Sequence, residues 1–120
     1  MEFTQQDANH NSIITHNLSA ITLAHTELKK PCFISPRNTE ELSIQSLAEV
    51  NKELLFRLTC QEPLDLLIIG TGERVIFLSA KQQVALGELG LGVECMNNIS
   101  ACSSFNLLLS DARAVGLLIL

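Results

Sequence analysis

Tryptophan and tyrosine are absent from this 120-residue chain, and its only aromatic side chains are five phenylalanines. Its eight lysines and arginines are outnumbered by thirteen acidic residues, giving a net charge of −5. The cations are scattered, with Lys29-Lys30 the only adjacent pair. A nucleic-acid surface needs clustered cations for phosphates and rings for base stacking. The cations are not clustered and phenylalanine is the only ring type available, which argues against nucleic acid as a partner.

Long apolar runs are lacking too. The tail at 114–120 falls far short of the roughly 20 residues that cross a bilayer, so no membrane insertion is expected. Residues 1–11 are polar, with no basic start or apolar stretch, which excludes a signal peptide there. The four cysteines (Cys32, Cys60, Cys95, Cys102) form no CxxC pair and no metal-ligand spacing. Without an export signal they read as reduced core or surface thiols. All three histidines precede residue 26, and no Ser-His-Asp pattern or nucleophile elbow occurs. His16 and His25 would meet across an N-terminal hairpin, but no third zinc ligand follows. The sequence leans away from an enzyme, implies no cofactor, and reads as soluble and cytoplasmic.

What the chain does have is a globular composition, 47% apolar and 18% charged. At this length it makes one domain that buries roughly two-thirds of its unfolded surface. Residues 1–11 read as a flexible N-terminal segment and 12–120 as the domain. Strands are expected at 12–16 and 20–26 around an Asn17-Leu18-Ser19 turn, and at 31–35, followed by a polar loop over 36–41. Ser46 and Glu49 have capping-box spacing, and Leu47, Val50, Leu54, Leu55 and Leu58 recur at helical spacing up to Pro63.

The second half alternates strand and helix. The apolar run at 64–69 reads as a strand covered on both faces. A short strand-like piece follows at 75–78. Ser79 and Gln82 cap a helix that Gly90 stops. A strand is expected at 91–96, a helix capped by Asn97 or Asn98 running to about 110, and a last strand at 113–119. Strands joined through such helices run parallel. The pattern predicts a layered α/β domain with an antiparallel meander at its N-terminal end.

The sharpest local feature is Gly70-Thr71-Gly72, directly after the apolar run. Two glycines at a strand end make a tight concave turn whose free N–H groups can cradle an anion. It is not a dinucleotide fingerprint, because the third glycine position holds Val75, and no P-loop is present. Parallel topology would bring this turn and the helix start at Asn97 and Asn98 to one sheet edge, where open α/β sheets bind ligands. The candidate small-ligand site therefore comprises Gly70, Thr71, Gly72, Arg74, Asn97, Asn98, Ser104 and Asn106. For Asn106 an inward structural role, bonding a neighbouring backbone, competes with ligand binding. Glu94, facing away from Val93 and Cys95, is the candidate acid or base. Cys102 sits near the third helix's start, where a packed core thiol competes with a reactive one.

Three stretches together resemble one family: Leu67-Ile68-Ile69-Gly70-Thr71-Gly72, then Leu89-Gly90-Leu91-Gly92-Val93-Glu94-Cys95-Met96, then Ala101-Cys102 with Phe105-Asn106 and Leu108-Leu109. It is the small Mth-type domain of unknown function, which has mitochondrial members that include a complex I assembly factor. The resemblance covers roughly residues 64–119 and implies a three-layer α/β domain around a mixed, largely parallel sheet. It also implies an interaction or complex-assembly role with protein partners. The chain departs from the family in three places. It has Asn98 where Thr is usual, Ser103-Ser104-Phe105-Asn106 for Arg-Thr-Tyr-Asn, and Asp111-Ala112-Arg113-Ala114 for Glu-Gly-Arg-Arg. The lost arginines weaken the case for a strongly anionic ligand.

Overall fold

In the computed structural model, residues 11–120 are described, and the elements run in chain order. Five strands come first: β1 (Ile13–His16), β2 (Ala20–Leu23), β3 (Glu27–Lys29), β4 (Cys32–Ile34) and β5 (Thr39–Glu41). A single 3-10 turn at Leu47–Glu49 leads into helix α1 (Lys52–Thr59). Then come β6 (Leu66–Gly70), α2 (Ala80–Gly87), β7 (Gly92–Met96), α3 (Asn98–Ser110) and β8 (Val115–Ile119). The expected flexible segment, and the absence of a signal sequence read from it, lie outside the described residues except for Asn11. That residue is buried, and its side-chain amide donates to the carbonyls of Ser35 (2.7 Å) and Pro36 (3.3 Å).

The apolar runs decide the middle of the molecule. Strands β5, β4, β8, β6 and β7 form one mixed sheet in that order. β8 runs parallel to β6 and antiparallel to β4, and β7 is parallel to β6. Side chains of a strand alternate between faces, so β6 sends Ile68 to one core and Leu67 and Ile69 to the other. β4 and β8 divide in the same way, with Phe33 and Leu118 opposed to Ile34 and Leu117. Helix α3 covers one face through Ala101, Cys102, Phe105 and Leu109. The 3-10 turn, α1 and α2 cover the other through Leu47, Leu55, Leu58 and Leu86. This is the expected three-layer α/β domain with a mixed sheet.

Strands β1, β2 and β3 form the antiparallel meander, and Ile13, Ile21, Leu23 and Leu28 join the core on the α3 side. Its third strand is Glu27–Lys29, a segment the pattern left unassigned, and β5 forms where a loop was expected. Both are three residues long and carry one apolar side chain or none, so their pairing comes from distant partners. The continuous helix expected from Ser46 is broken. Ser46 makes no side-chain cap, and Asn51 instead accepts the Leu54 N–H at 2.8 Å to open α1. Residues 75–78 form no strand; Val75, Ile76 and Phe77 stay exposed. The Ser79–Gln82 capping box forms as read, and Gly90 takes the left-handed φ of +68° that stops the following turn.

Candidate functional site

The two glycines of the turn are required for different reasons. At Gly70 a Cβ would run into Ile119 Cδ1 and would lie 2.6 Å from Asn98 Oδ1 and 3.2 Å from the Ala101 Cβ. Gly72 has open space around it but a φ of +104°, which side-chain-bearing residues rarely adopt. Thr71 is buried and knits the turn together. Its N–H donates to the Met96 carbonyl at 2.9 Å, and its hydroxyl contacts the Arg74 carbonyl at 2.6 Å. The same oxygen accepts the Ile76 N–H at 3.0 Å.

Asn98 completes the closure. Its Oδ1 accepts the Gly72 N–H at 2.9 Å, its own N–H donates to the Gly72 carbonyl at 2.8 Å, and its Nδ2 reaches the Leu120 carbonyl at 3.4 Å. The expectation of free N–H groups in this turn is therefore corrected. The amides of Thr71 and Gly72 are already spent inside the protein, the first on the end of β7 and the second on the α3 N-terminus that docks on the turn.

Beside the turn lies an open crevice of about 560 Å³. Parallel β6, β7 and β8 bring their C-terminal ends here, as expected for β6 and β7. Of the sequence-derived site residues, Gly72, Asn97 and Asn98 line the crevice. Asn97 caps α3 by accepting the Ser100 N–H at 2.8 Å. Gly70 and Thr71 lie behind the lining, and Arg74 is exposed on the loop outside it. Ser104 is half-buried further along α3 and takes no part. Asn106 clamps the meander, accepting the Ile13 N–H at 2.7 Å and donating to the Ile13 carbonyl at 2.9 Å. That is the structural role weighed for it in the sequence.

The remaining crevice walls were missed. His16, Asn17 and Leu18 from the β1–β2 turn, with Lys30, arrive because the meander docks beside α3. No local signal announces such a docking. Lys30 and Glu73 put opposite charges on the same crevice.

Other candidates separate. Glu94 is exposed on β7, the last strand of the sheet. His16 stands opposite Ile21 in the hairpin, and His25 falls beyond the end of β2, so the expected histidine meeting does not occur. Burial pushes the Cys102 thiol up to about 11 and the Cys32 thiol up to about 12, with Lys30 opposing in both cases. Both stay protonated at neutral pH, as core thiols do. Partial burial also raises Cys95, against a hydrogen bond from the Leu78 backbone. Among the described residues, no three His, Cys, Asp or Glu side chains are grouped to hold a metal ion.

The sequence profile described as "Protein of unknown function (DUF498/DUF598)" matches residues 15–120. The chain belongs to the DUF498/DUF598 family. A Xenopus tropicalis protein named NADH dehydrogenase (ubiquinone) 1 alpha subcomplex assembly factor 3 is 26% identical to it over 102 residues. That alignment covers 84% of this chain and 56% of the relative, so the chain spans about half the length of the curated relatives it matches. A crystal structure from Bordetella parapertussis superposes with a TM-score of 0.80 at 23% identity, over 92% of this chain and 94% of the other. A Bordetella pertussis Mth938-like domain gives a TM-score of 0.76 at 20% identity, over 93% and 86%. At these identities the two structures establish the fold that the DUF498/DUF598 member shares, and nothing about its chemistry.

Proposed function

We infer that this protein is a non-enzymatic interaction module that holds a protein partner while a larger complex is assembled. The carrying observation is Val75-Ile76-Phe77, three consecutive apolar residues 44, 53 and 71% exposed on the loop after the Gly-Thr-Gly turn. Contiguous exposed apolar surface of this kind marks protein contact sites. The likeness to a relative named as an assembly factor supports the same role. Four free thiols fit a reducing compartment, and we place the protein in the cytoplasm. Affinity capture from native and detergent-solubilised lysate tests the reading. Wild-type protein is expected to retain a stoichiometric partner that Phe77→Ser loses. Recovery of no such partner by the wild type would sink it.

A second reading is favoured by the crevice of about 560 Å³, a volume within the usual range of about 300–1,000 Å³ for small-ligand sites. Under it, Gly72, Asn97 and Asn98 contact a small polar molecule, with Lys30 and His16 beside them. Native mass spectrometry of freshly purified protein separates the two. A co-purifying small mass supports the crevice, and a consistently bare chain counts against it.

A further inference from the structure

We propose that the free edge of β7 is where this module takes its partner, by adding an extended segment that places a basic residue between two apolar ones. The proposal rests on the interaction reading above and names the surface and the partner's chemistry.

The two ends of the five-stranded sheet are treated differently. β5 is short and acidic, and Glu41 on it accepts the Lys29 N–H at 2.8 Å, so β3 shields that end. Such devices keep sheet edges from pairing with other chains. β7 carries a single edge charge, Glu94, and among the described residues no strand lies beyond it. Gly92 donates to the Asp65 carbonyl at 3.1 Å, and the Met96 carbonyl accepts from Thr71 at 2.9 Å. Residues 92, 94 and 96 thus turn their backbone groups towards β6. Alternation then turns the N–H and C=O groups of Val93 and Cys95 outwards. Among the described residues no strand or side chain bonds these four groups.

The outer face is shaped as well as unpaired. An open groove of about 270 Å³ is lined by Phe77, Leu78, Leu86, Leu91, Val93 and Cys95. It is smaller than the usual small-molecule site of about 300–1,000 Å³. Gln83 and Gly87 complete its lining and polar atoms make up much of its wall, while Phe77, Leu78, Leu86, Leu91 and Val93 give it apolar contact points. On the opposite face of the strand Glu94 is exposed, with no ion pair among the described residues. Neighbouring strands point their paired residues to the same face. A segment lying along β7 therefore sets one side chain against Glu94 and its two flanking side chains over the groove. Glu94 selects a lysine or arginine at the centre, and the groove selects apolar neighbours.

A second copy of this chain fits badly. The antiparallel register that uses all four outward groups pairs Val93 with Cys95 of the copy and sets Glu94 directly opposite itself. Like charges facing across strands are destabilising, and each copy carries a net charge of −5.

The test uses two seven-residue capped peptides of threonines around a Val-Lys-Val or a Val-Glu-Val core, titrated into 15N-labelled protein at low salt. The lysine peptide is expected to slow exchange at the Val93 and Cys95 amides and to bind about fivefold tighter than the glutamate peptide. Glu94→Lys changes an exposed side chain and should reverse that order. Perturbations confined to the crevice, no change in exchange at Val93 and Cys95, or the same peptide order in the variant would each overturn the proposal. Protection of these amides that rises with protein concentration, without peptide, would assign the edge to a second copy and overturn it too. If Glu94→Lys still captures the partner that Phe77→Ser loses, and the peptides leave β7 unprotected, the edge proposal falls while the interaction reading stands.

Discussion

Ala112 holds a φ of +57° at the end of α3, a conformation that costs a side-chain-bearing residue roughly 1 kcal/mol more than glycine. The cause is the way the helix closes. The Ala112 N–H donates to the Leu109 carbonyl at 3.0 Å, and the Arg113 N–H reaches back to Leu108 at 3.0 Å. These two bonds make a Schellman stop, in which the left-handed residue is usually glycine. Ala112 stands in that place, so this chain carries a local strain that a glycine would relieve. Ala112→Gly should raise stability by about 1 kcal/mol, read as a higher urea midpoint with an unchanged slope. A lower midpoint would mean that the alanine methyl packs well enough to outweigh its backbone cost. The same residue-level reasoning separates Gly70 from Gly72: one is needed for the space its hydrogen leaves, the other for its φ.

Elements were legible where their signals are local. The Ser79–Gln82 box, the Asn97 cap and the doubly buried β6 all follow from residues within one or two turns of each other. They fail where tertiary contacts decide. Ser46 and Glu49 have capping spacing, yet the Glu49 carboxylate takes the Gln45 N–H at 2.6 Å and the chain extends again at Val50. Val50 is fully buried, and the Gln82 amide donates to its carbonyl at 3.0 Å and to that of Leu47 at 2.9 Å. Those two bonds, made by a side chain of α2, satisfy the 3-10 turn from outside and let a new helix start at Asn51. The position of the cap is testable. Asn51→Ala should cost about 1 kcal/mol, whereas Ser46→Ala, which removes no cap, should stay within about 0.5 kcal/mol. Equal losses in chemical denaturation would restore the single-helix reading. β-Propensity misleads at 75–78 for a related reason: branched residues favour a strand only where a sheet receives them.

At the scale of the molecule, the candidate site depends on how two sheets are joined. Parallel topology foretold that β6, β7 and the α3 start share an edge, but the meander supplies the other wall of the crevice from a separate sheet. That docking joins residues far apart in sequence and leaves no periodic trace, which is why His16 and Lys30 were not foreseen. Asn106 is its polar fastening, with both Ile13 backbone groups held 93 positions away. Apolar contacts of Ile13, Ile21, Leu23 and Leu28 add to it, but the central ladder of β4, β8 and β6 contains no strand of the meander. The two sheets should therefore open separately, as weakly coupled parts of a domain do. Asn106→Ala leaves the Ile13 N–H and carbonyl without their partners, at a cost of about 1–3 kcal/mol. Native-state hydrogen exchange should show that loss in β1 and β2 amides, with β6 and β8 nearly unchanged. A uniform fall across all strands would make the protein one cooperative unit, and the crevice could then open only by global unfolding. With the expected split, the meander can lift from α3 while the sheet stays folded. The crevice then has a movable wall, whereas the β7 edge, on the far strand of the rigid sheet, keeps a fixed shape for its partner.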